Sequence, residues 1–197
     1  MPDKDKQLKQ LGIFARYWLA YGGFKALYTS RYVWAALVLS GFLYPLWSSP
    51  NWWDTVLSVI PNMLGFSLGG FALWLAIGDD DFRRILASTE RQQTSGYSEI
   101  NSTFVHFILV QIIALIAALF AKAYNFSLPE DCWLIKNYGE LFYKICLVGS
   151  YIGFSLFIYA LFSALAATMG LFQVTKMYEA YLNKLERKSE QPPAAKK

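Results

Sequence analysis

The sequence predicts an all-α integral membrane protein: four transmembrane helices, an N-terminal interfacial helix and a long C-terminal helix extending into the cytoplasm. Three observations carry this. Hydrophobic residues make up 55% of the 197 residues and charged residues only 16%, against about 25% charged in soluble domains. A chain this short has too little interior to hide so much apolar surface from water. The charges flank the apolar runs, and many of the seven Trp and thirteen Tyr lie near the run ends, where rings with one wet and one dry edge settle at headgroup level.

The elements follow in order. Met1 to Lys9 is polar and does not read as a cleaved signal peptide. Residues 8–28 place Leu11, Phe14, Trp18, Tyr21 and Leu27 among scattered Lys and Arg, with Gly22-Gly23 breaking the run. This predicts a helix lying in the interface. Crossing about 30 Å of hydrocarbon takes roughly 20 apolar residues. Four stretches qualify: residues 32–47 (slightly short), 55–78, 102–121 and 145–174. The last stays helical in pattern to Lys188, which is 44 residues, or about 66 Å at 1.5 Å per residue. Residues 175–188 are therefore expected outside the bilayer, and 189–197, with Pro192-Pro193, as a disordered tail. Residues 1–188 read as a single membrane domain.

Orientation follows from the 18 Lys and Arg. Only Lys122, Lys136 and Lys144 fall on the side opposite the termini, and Lys122 and Lys144 sit at span ends, where they can snorkel. The positive-inside rule then puts both termini in the cytoplasm. This distribution also explains the net charge of +4 without invoking nucleic acid.

Lipid gives helices little hydrophobic reason to associate, so close backbone approach and hydrogen bonds must do it. In span two, Ser58, Asn62, Gly65, Gly69, Ala72 and Ala76 fall in one stripe about 80° wide at 100° per residue. Gly65 to Gly69 is a GxxxG match, and Gly149 to Gly153 in span four is another. Ala160, Ser163, Ala164 and Ala167 extend the second face, and span three adds Gln111 beside Ala114, Ala118 and Ala121. Such faces serve helix packing within one subunit, or contacts between subunits that in one arrangement line a pore.

Pro61 removes a donor and frees the carbonyl of Leu57. A kink or gating hinge is expected there, with Asn62 placed to close the gap. Asp79, Asp80 and Asp81 end span two, where carboxylates disfavour a helix C-terminus and favour a new N-terminus. They cap a following short helix, or form an acidic cytoplasmic mouth. His106, the only histidine, suits an interhelical hydrogen bond or a pH sensor. Tyr178, Tyr181 and Leu185 at helical spacing form a candidate docking face for a cytoplasmic protein. Cys132 and Cys146 read as free thiols.

No phosphate-binding glycine loop, HExxH or activated Ser or Cys occurs, and no Asp, Glu, Lys or Arg lies deep in a span. No catalytic residue, metal or cofactor is expected, which disfavours an enzyme or pump.

The segment Asn62-Met-Leu-Gly-Phe-Ser-Leu-Gly-Gly-Phe-Ala-Leu-Trp-Leu-Ala-Ile-Gly-Asp79 resembles one in small bacterial membrane proteins, and the overall plan resembles the four-pass membrane subunits of anti-phage systems such as Kiwa. The close match covers about a tenth of the chain. The resemblance implies a homo-oligomeric subunit in the bacterial inner membrane that senses damage or works with a cytoplasmic partner in antiviral defence. The alternative is a channel or permeabilising effector whose pore is lined by the span-two stripe.

Overall fold

The computed structural model describes residues 12–76, 80–82, 84, 90–91, 94–125, 129 and 132–190. The predicted start of the interfacial helix at residue 8, Asp79 at the end of span two and residues 191–197 of the tail lie outside them. Apart from short turns and one pair of two-residue strands, the described chain is helical. Its elements are α1 (Ile13–Tyr21), α2 (Gly23–Thr29), α3 (Arg31–Phe42), α4 (Tyr44–Trp47), α5 (Trp52–Ala76), β1 (Glu90–Arg91), β2 (Thr94–Ser95), α6 (Gly96–Ala123) and α7 (Trp133–Glu190). The strands pair Glu90 with Ser95 and Arg91 with Thr94, antiparallel.

Three helices are long and apolar enough to cross a membrane: α5, the Ile100–Ala123 part of α6 and the Ile135–Arg187 part of α7. The expected first span is instead divided. Its apolar helix α3 has 12 residues, about 18 Å of rise, and ends at Leu43 before the one-turn α4. Pro45 is the cause, because it lacks an N–H and its ring clashes with the carbonyl four residues back. The interfacial segment is likewise two helices. Gly22 at φ 101° and Gly23 at φ 65° take left-handed conformations that glycine adopts without steric cost.

Span four also differs from expectation. Its helix begins at Trp133, not near Ile145, and passes a single non-helical residue, Tyr138 (φ −135°, ψ 21°). The stretch expected between spans three and four is thus helical from Trp133 onward. Beyond that irregularity α7 continues without interruption to Glu190, so the extension predicted for 175–188 is present and residues 189–190 of the predicted tail are helical.

Contacts at opposite ends set the helix directions. Asp54 at the start of α5 meets Lys122 at the end of α6, with Nζ 3.0 Å from Oδ1. At the other end the Trp74 indole donates to Asn101 Oδ1 at 2.7 Å. The two helices are therefore antiparallel. α7 runs parallel to α5, since Trp52 donates to Ser150 Oγ at 3.1 Å while Phe82, beyond α5, packs on Tyr178 and Tyr181.

Two apolar clusters form the interior. One joins Trp52, Val56 and Ile60 of α5, Val110, Ala114 and Ala118 of α6, and Phe154, Phe157, Ile158 and Ala160 of α7. The other joins Trp74, Phe82, Phe104, Phe107, Ala167 and Val174. In the first, Gly153 lets the backbone of α7 approach the indole of Trp52. A Cβ at Gly153 would stand 2.5 Å from Trp52 Cη2 and 3.0 Å from Cζ2.

Candidate functional site

The small-residue faces of the three long helices have different fates. Those of α6 and α7 turn inward: Ala114, Ala118, Ala160, Ser163 and Ala167 are buried. That of α5 turns outward. Ser58, Asn62, Gly65, Gly69, Ala72 and Ala76 are all exposed, and a Cβ added at Gly65 or Gly69 would meet nothing within 4 Å. Leu68 lies to one side of this stripe and Phe66 and Leu73 to the other; all three are more than half exposed. The result is a shallow furrow between larger side chains. Within one subunit, the packing role that the sequence allowed for this stripe is not used.

The second GxxxG match divides. Gly153 is packed under Trp52, whereas a Cβ at Gly149 would meet nothing within 4 Å. Trp52, Gly153 and Ser150 form the working contact, which spacing within one helix could not reveal because the partner is nearly a hundred residues away.

Pro61, where a kink or hinge is expected, lies inside α5, which stays helical through it. Asn62 donates to the Ser58 carbonyl at 3.1 Å, adding a side-chain hydrogen bond beside the donor that proline lacks. Beyond the C-terminal end of α5, Asp80 and Asp81 are exposed. Asp80 to Phe82 are helical, and Arg84 Nη1 lies 3.7 Å from Asp81 Oδ1, one turn on.

The expected docking face is partly occupied by the chain itself. Phe82, 3% exposed, packs against Tyr178 and Tyr181 at ring-centroid distances of 4.9 and 5.6 Å. These tyrosines therefore clasp the segment after α5, while Leu185 stays exposed. Sequence reasoning passed over Phe82 because a single aromatic among acids and arginines has no periodicity.

Among the buried polar side chains, Gln111 and His106 link helices to one another. Gln111, fully buried, donates from Nε2 to Ser67 Oγ at 2.9 Å and links α6 to α5. His106 is buried and held at both ring nitrogens. Tyr17 Oη lies 2.7 Å from Nδ1 and Tyr159 Oη 2.8 Å from Nε2. Tyr21 stacks on the imidazole with centroids 3.7 Å apart. In a neutral imidazole one nitrogen donates and the other accepts, so one ring ties α1 to both α6 and α7. Burial pushes the Tyr17 phenol up to about 12, helped by the neighbouring Tyr21. The hydrogen bond predicted for His106 is present, with partners that its own span could not disclose.

Among the described residues no group of three or more His, Cys, Asp or Glu is placed to hold a metal ion. No family model matches the chain, and no characterised protein or solved structure matches it either.

Proposed function

We propose that the chain is a four-pass inner-membrane subunit that self-associates through the outward face of α5 and serves as a sensor or scaffold for a cytoplasmic partner. In this reading α3 and α4 together complete the first crossing. The bias of Lys and Arg supports cytoplasmic termini in this reading. The resemblance to four-pass subunits of anti-phage systems supports a role in defence.

One observation carries the reading: six small residues in register on α5 face outward, with open space at Gly65 and Gly69. In lipid such a face allows close backbone approach by another helix, and van der Waals packing is what drives association there. A second copy is the natural occupant because most soluble oligomers are built from identical subunits.

The test is native mass spectrometry of the purified protein in mild detergent, with Gly65→Leu and Gly69→Leu as variants. An oligomer that dissociates in both variants while helical content is kept supports the reading. A monomeric parent chain under conditions that preserve control oligomers refutes it. The channel reading rests on the same stripe and the exposed Asp80 and Asp81 at its inner end. It requires conductance in planar bilayers, abolished by Gly69→Leu.

A further inference from the structure

A cavity of about 410 Å³ lies between α2, α3 and α7. Its size falls in the range of small-molecule sites, about 300–1,000 Å³. Phe24, Tyr28, Trp34 and Ile152 on its wall are each more than half exposed, so it opens sideways, toward lipid in a membrane. Ala36 closes its inner side at 1% exposure.

The wall is apolar except for hydroxyls and the Trp34 indole N–H, which donates to the Tyr28 carbonyl at 2.8 Å. Tyr151 gives its hydroxyl to the Leu37 carbonyl at 3.0 Å, and Tyr159 is engaged with His106. Ser155 differs. It is 7% exposed, lines the cavity, and its Oγ has no hydrogen-bond partner among the described residues. A buried hydroxyl without a partner costs free energy that a ligand acceptor would recover. Among the described residues no Asp, Glu, Lys, Arg or His lines the cavity, so a charged group placed there would be buried without a counter-ion from them, which is strongly unfavourable.

We propose that this cavity binds the acyl chain of an ester lipid, with the uncharged ester carbonyl accepting a hydrogen bond from Ser155. The apolar wall takes the chain, the buried Ser155 hydroxyl takes the carbonyl, and the absence of charge among the described lining residues discriminates against a fatty carboxylate. Whether the ester belongs to a bilayer phospholipid or to a neutral diacylglycerol is decided by the lipid's headgroup, which would stay outside the cavity. The proposal depends on membrane insertion and is independent of oligomerisation.

The experiment is photolabelling of the full chain in vesicles by three probes with a diazirine near the head of one chain: a phosphatidylethanolamine, a diacylglycerol and a free fatty acid. Labelled peptides are mapped by mass spectrometry, with the exposed face of α6 around Ile113, Ile116 and Phe120, which the proposed interface does not use, as an internal standard for bulk lipid. The ester probes should enrich label on α2, α3 and residues 151–159 of α7 over that standard. Labelling by the phosphatidylethanolamine alone identifies a bilayer phospholipid, and labelling by the diacylglycerol as well shows that the headgroup is not read. Ile152→Trp, a change at an exposed position, should abolish the enrichment. Ser155→Ala should lower it about fivefold, the worth of one hydrogen bond. Equal labelling of cavity and standard, an unchanged pattern in either variant, or labelling by the fatty acid as strong as by the esters overturns the proposal.

Discussion

Replacing Gly153 by Ala tests the packing argument most directly, because the same substitution at Gly149 supplies its control. The new methyl carbon would stand 2.5 Å from Trp52 Cη2, so the indole must retreat by about 1 Å to reach ordinary contact. It has little room. Trp52 is 6% exposed, meets Phe154 edge-on at 6.2 Å and donates to Ser150 at 3.1 Å. Forcing volume into a packed core costs about 1–3 kcal/mol, and losing the indole hydrogen bond costs about 1 kcal/mol more. Alanine returns about 1 kcal/mol through helix propensity. The net expectation is a loss of about 1–3 kcal/mol. Gly149→Ala meets no obstacle and should gain up to about 1 kcal/mol. Unfolding by SDS titration from mixed micelles, followed by far-ultraviolet circular dichroism, measures both. Trp52→Phe in the Gly153→Ala background removes the ring carbon that clashes and should recover part of the loss. A Gly153→Ala protein as stable as Gly149→Ala would refute the close approach of α7 to Trp52.

Three further outcomes follow from the same contacts. Ser67→Ala should destabilise by about 1–3 kcal/mol because it leaves Gln111 buried without its partner, whereas Ser67→Ala with Gln111→Leu should be nearly neutral; the same titration measures both. Phe82→Ala should cost about 3–5 kcal/mol, as large-to-small changes of buried Phe do. It should also speed proteolysis of the segment between α5 and α6, while Leu185→Ala should do neither. Tyr17 keeps its proton up to about pH 12 in the folded chain but releases it near pH 10 when unfolded. Its contribution is therefore intact below pH 10 and lost as pH rises from 10 to 12. Tyr17→Phe should flatten that decline in unfolding experiments at pH 9 and 11.

The long helices were legible because the apolar runs of residues 55–78, 102–121 and 145–174 exceed what a soluble helix needs. The start of α7 was less visible. Lys136, Glu140 and Lys144 depress hydropathy there, yet Lys and Glu are good helix formers. The break at Leu43 was signalled by Pro45 but hidden by the apolar run around it. Within the candidate site, spacing showed which residues share the α5 stripe; it held no information on what that stripe meets, since direction depends on the neighbouring helices. The partners of His106 were hidden for the same reason, because Tyr17 and Tyr159 lie 89 and 53 positions away.

The unbroken course of α7 beyond Tyr138 has a mechanical consequence. From Gly153, where Trp52 presses on it, to Glu190 the helix rises about 56 Å. A stiff rod pivoting there by about 5° carries its far end through about 5 Å. Small rearrangements near Trp52 would thus arrive magnified at the far end of α7, where the aromatic clasp would carry Phe82 along with them.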